Sequence, residues 1–126
     1  MDGQPASVVH VVDGDPAVRD SLTTLLDLNG FRVLTYSTGA ALLRKLVATP
    51  SDANQDWVVC EADLPDGSGI DLFSKVRAAK AATPFILLIS RRNPGIIETA
   101  KNAGIDQIYQ KPLVHRNLLT YIEARS

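Results

Sequence analysis

The stretch that decides the fold is residues 57–69, which read Trp57-Val58-Val59-Cys60-Glu61-Ala62-Asp63-Leu64-Pro65-Asp66-Gly67-Ser68-Gly69. Four apolar residues lead directly into a carboxylate, and a turn with one proline and two glycines follows. A continuous apolar run of this length is typical of a strand buried on both faces, as in parallel sheets. Glu61 is therefore predicted to end a central strand, at the edge where open α/β sheets place their functional residues.

Four further segments predict strands, and a helical pattern follows each of the five. Residues 8–12 and 85–89 are the other apolar runs, whereas residues 31–36 and 106–109 are mixed and suit the edges of a sheet. Five strands alternating with five helices predict a parallel sheet with right-handed crossovers. With the mixed strands at the edges, the predicted fold is a flavodoxin-like (βα)5 doubly wound sheet of strand order 2-1-3-4-5. Residues 1–126 are expected to form a single domain.

Composition excludes several classes of function. The chain has 126 residues, a formal net charge of -1 and 45% hydrophobic residues, as an ordinary globular domain has. There is no polybasic patch for nucleic acid, no apolar run near the roughly 20 residues that span a bilayer, and no signal-peptide pattern at the N-terminus. The single cysteine, Cys60, is expected to be a buried thiol. We expect a cytoplasmic domain that contacts neither membrane nor nucleic acid.

Polar residues follow the predicted strands at one edge of the sheet. Asp13 and Asp15 follow the first strand, Glu61 ends the third, Ser90 follows the fourth and Lys111 follows the fifth. In the predicted strand order these residues converge. Clustered carboxylates repel one another and raise each other's pKa unless a cation lies between them. Either a metal ion or the Lys111 ammonium is expected to be that cation.

At these positions the chain resembles the receiver domain of two-component response regulators. The matching segments occur in the family's order along nearly the whole chain: Val11-Val12-Asp13-Gly14-Asp15-Pro16-Ala17-Val18-Arg19, Leu64-Pro65-Asp66-Gly67-Ser68-Gly69, Ser90, Ala103-Gly104 and Lys111-Pro112. The Val-His-Val-Val opening and the Asp-Gly-Ser-Gly turn are most similar to receivers whose regulators carry a helix-turn-helix output. The resemblance implies a signalling module that is not an enzyme, a sensor histidine kinase as partner and a transcriptional output.

The resemblance also implies roles for the converging residues. In the family, an aspartate ending the third strand accepts a phosphoryl group, and Mg²⁺ is held by that aspartate, by the acids after the first strand and by a backbone carbonyl. A hydroxyl and a lysine contact the phosphoryl oxygens, which corresponds here to Ser90 and Lys111. An aromatic side chain on the fifth strand reports phosphorylation to the outer face.

This sequence departs from the family pattern at four places. The acceptor position holds Glu61, whose extra methylene moves the carboxylate outward by about 1.5 Å. Gly14 replaces the main carboxylate ligand of Mg²⁺, and Arg91 replaces a small residue after Ser90. Ile108 occupies the switch-aromatic position, and Tyr109 next to it is expected to face the other way.

These departures predict a pseudo-receiver that acts through protein contacts without phosphorylation. Glu61 is expected to pair with Lys111, and Arg91 to supply charge that Mg²⁺ would bring, so a magnesium site at Asp13 and Glu61 is expected to be weak or absent. The expected partners are a sensor kinase, another regulator or a second copy bound through residues 93–124.

Two alternatives stay open at this stage. One is a working phospho-acceptor that uses Glu61 or Asp63 and controls a transcriptional output. The other is a flavodoxin-like domain that binds a small ligand, although no phosphate-binding loop follows the first strand. Mid-strand His10 has no second histidine or cysteine beside it and is expected to be structural. The sequence does not identify the kinase or the stimulus, and it does not say whether the chain is cut from a longer regulator.

Overall fold

The computed structural model describes residues 8–48, 56–79, 83–90, 93–105 and 107–111. Its elements in chain order are β1 (Val8–Val12), α1 (Pro16–Leu28), β2 (Arg32–Tyr36), α2 (Gly39–Ala48), β3 (Asp56–Glu61), β4 (Asp63–Leu64), β5 (Gly67–Ser68), α3 (Gly69–Ala79), β6 (Phe85–Ile89), α4 (Pro94–Ala103) and β7 (Gln107–Gln110). Arg91 and the predicted fifth helix lie outside the described residues. No helix in the described part of the chain is long and apolar enough to cross a membrane.

The main sheet has five parallel strands in the order β2-β1-β3-β6-β7. The strands β4 and β5 form a separate antiparallel ladder of two residues each. Without that ladder the long strands follow the order 2-1-3-4-5, so the flavodoxin-like prediction is confirmed. The central strand is β3, and its last residue, Glu61, pairs in register with Leu88 of β6.

Two apolar clusters cover the two faces of the sheet. One joins β1, β3 and β6 to Leu42 and Leu46 of α2 and to the buried face of α3. The other joins the opposite face of the same strands to Leu22 and Leu26 of α1. All six residues of β3 are buried, whereas the edge strand β2 is partly exposed. This burial is why the interior strands are continuous apolar runs and the edge strands are mixed.

The helices α1 and α4 each begin with a proline that follows an N-cap residue. The Asp15 carboxylate accepts the amide of Ala17 at 2.9 Å, and Pro16 occupies the first turn of α1. At the start of α4, the Asn93 side chain accepts the amide of Ile96 at 3.2 Å. Such side-chain acceptors satisfy amides that have no partner within the helix. Asp15 and Asn93 are therefore the N-cap residues of α1 and α4.

The turn after β3 is held by two contacts that fix the direction in which Glu61 leaves the sheet. The Gly69 amide donates to the carbonyl of Ala62 at 2.8 Å. The Asp66 carboxylate accepts the amides of Gly39 and Ala40, each at 3.0 Å, and so caps α2 from a distant part of the chain. These two backbone hydrogen bonds lower the pKa of Asp66. The turn is therefore tied both to β3 and to a neighbouring helix.

Candidate functional site

The candidate site lies at the carboxyl edge of the sheet, where the strands β3, β6 and β7 end. Backbone hydrogen bonds hold these strand ends in register beyond the sheet itself. The Ala62 amide donates to the Leu88 carbonyl at 2.8 Å, and the Lys111 amide donates to the Ile89 carbonyl at 2.8 Å. The residues after β3 and β7 are therefore both anchored to the end of β6, which brings Glu61 and Lys111 to one place.

The Lys111 ammonium bridges two buried carboxylates. Its Nζ lies 2.8 Å from Asp13 Oδ2 and 2.8 Å from Glu61 Oε2. Asp13 is 1% exposed and Glu61 is 7% exposed, while the Lys111 side chain keeps 17% of its accessible surface. Burial opposes the charge on Lys111, but its hydrogen bonds to the two carboxylates outweigh that effect and raise its pKa. Lys111 is thus the cation in this cluster.

Asp13 accepts hydrogen bonds at its carboxylate and at its backbone carbonyl. Its Oδ1 accepts the backbone amide of Asp15 at 2.9 Å, so both carboxylate oxygens are engaged. Its carbonyl oxygen accepts a hydrogen bond from Arg19 Nη1 at 2.6 Å. The sequence analysis did not find this role for Arg19, which lies one helical turn into α1 on the side that faces the strand end.

Glu61 has one engaged and one free oxygen. Its Oε1 is the single buried polar side-chain atom without a hydrogen-bond partner among the described residues. Burial raises the pKa of Glu61, and the charges of Asp13 and Asp63 act in the same direction, while the hydrogen bond and charge of Lys111 oppose the shift. The cluster therefore holds a carboxyl group whose environment favours protonation more than water does.

The structure does not bring Asp15 into this cluster. The sequence analysis grouped Asp15 with Asp13 and Glu61, but the Asp15 carboxylate is exposed and caps α1. An N-cap side chain turns toward the first amides of its helix, and the Asp15 carboxylate is engaged there by the amide of Ala17. The acidic part of the cluster is therefore Asp13 and Glu61.

The remaining predicted residues lie around the cluster or on the faces of the sheet. Ser90 directly follows β6 and is exposed, and Asp63 is exposed on the two-residue ladder. Ile108 packs into the apolar cluster on the α2 face of the sheet, whereas Tyr109 packs on the α1 face and donates its hydroxyl hydrogen to Gln107. The predicted opposite orientation of Ile108 and Tyr109 is confirmed.

The described side chains do not fit a magnesium ion. Mg²⁺ demands near-octahedral oxygen coordination from carboxylates, carbonyls and water. Both oxygens of Asp13 are already engaged, position 14 is a glycine and the Asp15 carboxylate caps a helix. Within the described ranges, no three His, Cys, Asp or Glu residues are grouped so that they could hold a metal ion.

Comparison with known proteins identifies the family. The response regulator receiver domain family matches residues 9–123. This chain belongs to that family. It is 33% identical to the transcriptional regulatory protein KdpE of Mycobacterium tuberculosis over 118 residues, which are 94% of this chain and 50% of that protein. It is 29% identical to the transcriptional regulatory protein FixJ of Rhizobium meliloti, over 94% of this chain and 56% of that protein.

A solved receiver domain shows the same fold. The CheY-like response regulator receiver domain protein from Methanospirillum hungatei JF-1 superposes with a TM-score of 0.85 and 25% identity, over 96% of this chain and 94% of that chain. This receiver domain spans about half the length of the curated relatives it matches. Both of these relatives are named transcriptional regulatory proteins.

The raised pKa of Glu61 makes a testable prediction about stability and pH. The folded receiver holds a proton on Glu61 in a pH range above the ordinary value of 4.5, where the unfolded chain has lost it. The stability gained this way is fully present below that value and is lost as the pH rises through the higher folded pKa. Glu61→Gln cannot titrate. The stability of the wild type relative to Glu61→Gln should therefore fall as the pH rises from 4.5 through the higher folded pKa of Glu61.

Urea unfolding at a series of pH values measures this difference. Asp20→Asn, which neutralises an exposed carboxylate on α1, is the matched control and should show a flatter dependence. A wild-type advantage over Glu61→Gln that grows as the pH rises would contradict the assignment of a raised pKa to Glu61.

Proposed function

We propose that this receiver domain is a pseudo-receiver that signals through protein contacts without accepting a phosphoryl group. The observation that carries the proposal is the bridge from Lys111 Nζ to Asp13 and Glu61, at 2.8 Å each. The extra methylene of Glu61 lets its carboxylate meet the ammonium directly. In this proposal the chain supplies its own cation, Lys111, between carboxylates that the family resemblance assigns to phosphoryl transfer.

The surroundings of Gly14 support the same proposal. A side chain at this position would place its Cβ 3.0 Å from Pro65 Cγ and 3.2 Å from Pro65 Cδ, closer than ordinary van der Waals contact. Position 14 therefore lacks the carboxylate of the family pattern, and Pro65, in the turn after β3, lies close to it. This close approach of Pro65 favours glycine at position 14, where the family pattern has a carboxylate.

The output of the domain is proposed to be control of transcription through a longer regulator. The matched relatives are named transcriptional regulatory proteins, and this chain covers about half of each. In this proposal the receiver contacts a sensor kinase, another regulator or a second copy, and another part of the protein contacts DNA. Exposed polar residues on α4, among them Glu98, Lys101 and Asn102, suit such a contact within residues 93–124. Residues 112–124 of that segment lie outside the described structure.

One observation favours a second candidate, an inefficient phospho-acceptor. Glu61 Oε1 is buried and has no hydrogen-bond partner among the described residues, so one carboxylate oxygen is not committed to Lys111. In this alternative, a phosphoryl group bonds to that oxygen or to the exposed carboxylate of Asp63. The two candidates differ in whether the cluster opens to a phosphoryl group.

An amide NMR titration separates the two candidates. The protein is titrated with Mg²⁺ and then with beryllofluoride, an analogue of the acceptor-bound phosphoryl group. The pseudo-receiver predicts no saturable shifts at Asp13, Glu61, Ser90 and Lys111. Saturable shifts at these residues that spread to α4 would contradict it and favour the phospho-acceptor.

A double variant provides the positive control for this titration. Glu61→Asp combined with Gly14→Asp restores both acids of the family pattern and should bind Mg²⁺ with saturable shifts around Asp13. Glu61→Asp alone tests whether the shorter acid suffices. If the wild type responds to Mg²⁺ as strongly as the double variant, the substitutions at positions 14 and 61 do not close the site.

A further inference from the structure

A buried polar network lies on the sheet, away from the carboxylate cluster. His10, in the middle of β1, is 1% exposed. Its Nε2 lies 2.9 Å from Asp56 Oδ2 at the start of β3, and its Nδ1 lies 2.8 Å from the hydroxyl of Tyr36 at the end of β2. The His10 and Tyr36 rings stack with their centroids 5.7 Å apart. Three adjacent strands are thus joined by one chain of hydrogen bonds.

The chemistry of the three groups gives this network two hydrogen-bonding states. A carboxylate only accepts, so His10 Nε2 donates to Asp56. When the imidazole is neutral, Nδ1 accepts the hydroxyl hydrogen of Tyr36. When it is protonated, Nδ1 also donates, and the Tyr36 hydroxyl hydrogen must turn to another acceptor. Burial, with a smaller effect of the Asp56 charge, raises the pKa of Tyr36 to about 12, so its hydroxyl keeps its hydrogen in both states.

Among the residues that the structure describes, Asp56 and Tyr36 are the polar groups that hydrogen-bond to His10. Val12 and Val58 lie on the same face of the sheet and pack with Leu42 and Leu46 of α2. The charged residues of α2, Arg44 and Lys45, are exposed. Cys60 also lies on this face, and burial raises the pKa of its thiol, which keeps it neutral. Histidine is the residue type that changes charge in the physiological pH range.

Both ends of the network connect to the strands that carry the Lys111 cluster. Tyr36 is the last residue of β2, and its carbonyl oxygen accepts the amide of Asp13 at 3.1 Å. Asp56 is the first residue of β3, whose last residue is Glu61. A change in the position of Tyr36 therefore acts on the backbone of Asp13, whose carboxylate binds Lys111.

We propose that His10 is a proton-controlled switch residue, coupled through Tyr36 to the cluster of Asp13, Glu61 and Lys111. Gain or loss of one proton on His10 reverses the direction of the hydrogen bond to Tyr36 and shifts the backbone that carries Asp13. The receiver then responds to acidity as an input of its own. This coupling does not depend on whether the domain accepts a phosphoryl group.

A pH titration followed by NMR tests the coupling in the wild type. The ring signals of His10 and the amide signals of Asp13, Gly14 and Lys111 are recorded between roughly pH 5 and pH 8, the range in which histidine ordinarily titrates. The chain has two histidines, and His115→Gln assigns the His10 ring. The expected result is one shared midpoint for the ring and the amides. A His10 ring that does not titrate in this range, or amides that do not follow it, would overturn the proposal.

Two variants test the route of the coupling. Tyr36→Phe keeps the ring and removes the hydroxyl, so His10 should still titrate while the Asp13 amide loses its response. Tyr109→Phe is the matched control, because it removes a hydroxyl from the opposite face of the sheet and should leave the response unchanged. A response that survives in Tyr36→Phe overturns the route through Tyr36.

Asp56→Asn gives an independent readout that needs no change at Tyr36. Loss of the carboxylate removes the acceptor of the His10 Nε2 hydrogen bond, so the midpoint of the His10 ring signal should change. The transition at the Asp13 amide should move by the same amount. If the His10 midpoint moves and the Asp13 transition stays in place, that transition belongs to another group and the proposal fails.

Discussion

Replacing Lys111 with methionine lowers the free energy of unfolding by about 3 kcal/mol at neutral pH, the cost of leaving a buried ion pair without one partner. The reason is that Asp13 and Glu61 stay buried, at 1% and 7% exposure, after their shared cation is gone. Methionine fills most of the space of the lysine stem, so little of the loss comes from packing. We place the expected loss at the lower end of the range because the Lys111 side chain is itself 17% exposed. Urea unfolding at pH 7 measures it.

Two comparisons show whether the loss comes from the buried charges. Lys101→Met removes an exposed lysine from α4 and should change the stability by no more than about 0.5 kcal/mol. Acidification should shrink the Lys111→Met loss, because Glu61, whose pKa is raised by burial, takes up a proton and no longer needs a cation. Equal losses for Lys101→Met and Lys111→Met would contradict the proposed role of the bridge.

Combining Lys111→Met with Glu61→Gln measures the interaction energy between Lys111 and Glu61 apart from the other effects of each substitution. If the 2.8 Å contact between Lys111 and Glu61 stabilises the fold, the double variant should lose less free energy of unfolding than the two single variants lose together. The expected difference is about 0.5–3 kcal/mol, the range for residues in direct contact. Strictly additive losses would show that Lys111 serves Asp13 alone.

The fold was predictable from the sequence because burial leaves a clear pattern in parallel strands. The strands β1, β3 and β6 are largely apolar, with His10 in the middle of β1, since both faces of each strand are covered by helices. The mixed patterns of β2 and β7 reflect their places at the edges. Strand order followed from those two patterns together with the handedness of the crossovers. The ladder of β4 and β5 was not predicted, because two residues are too few to show a period.

The candidate site was predictable where it depended on strand order and unpredictable where it depended on side-chain direction. Strand order alone brings Glu61 and Lys111 to one edge, and their contact is present in the structure. Asp13 and Asp15 both follow β1, and either carboxylate suits a pocket or a helix cap. The direction in which α1 leaves the strand assigns Asp15 to the cap. The local sequence does carry a capping signal, because Asp15 is followed by Pro16 and proline is common in the first turn of a helix.

The polar network of His10 was missed for a different reason. Asp56 stands at the end of a polar segment of the sequence, yet the structure places it as a buried residue of β3. His10 and Asp56 are 46 positions apart in the sequence, and His10 and Tyr36 are 26 positions apart. Such contacts depend on the relative register of three strands, which hydrophobic periodicity does not fix.

Gly69→Ala should lower the free energy of unfolding by about 3 kcal/mol, the upper end of the range for an extra methyl group forced into a packed interior. A Cβ at this position would collide with the carbonyl oxygen of Glu61, and also lie 3.1 Å from Cα of Ala62. These are backbone atoms of the central strand, which cannot move aside as a flexible side chain does. The Gly69 amide also donates to the Ala62 carbonyl at 2.8 Å, so any shift of the helix start breaks that hydrogen bond.

The Gly69→Ala variant should also disturb the Lys111 bridge, because the displaced Glu61 carbonyl belongs to the residue whose carboxylate binds Lys111. Urea unfolding measures the stability, and the amide NMR signals of Lys111 and Asp13 report on the bridge. Gly95→Ala is the control: its Cβ would meet only Asn93 Oδ1, at 3.4 Å, and alanine in a helix gains up to about 1 kcal/mol over glycine. If Gly69→Ala is as stable as Gly95→Ala, the turn after β3 is free to move, and Glu61 cannot owe its position to it. A loss at Gly69 with unchanged Lys111 signals would instead show that the bridge holds Glu61 against a shifted turn.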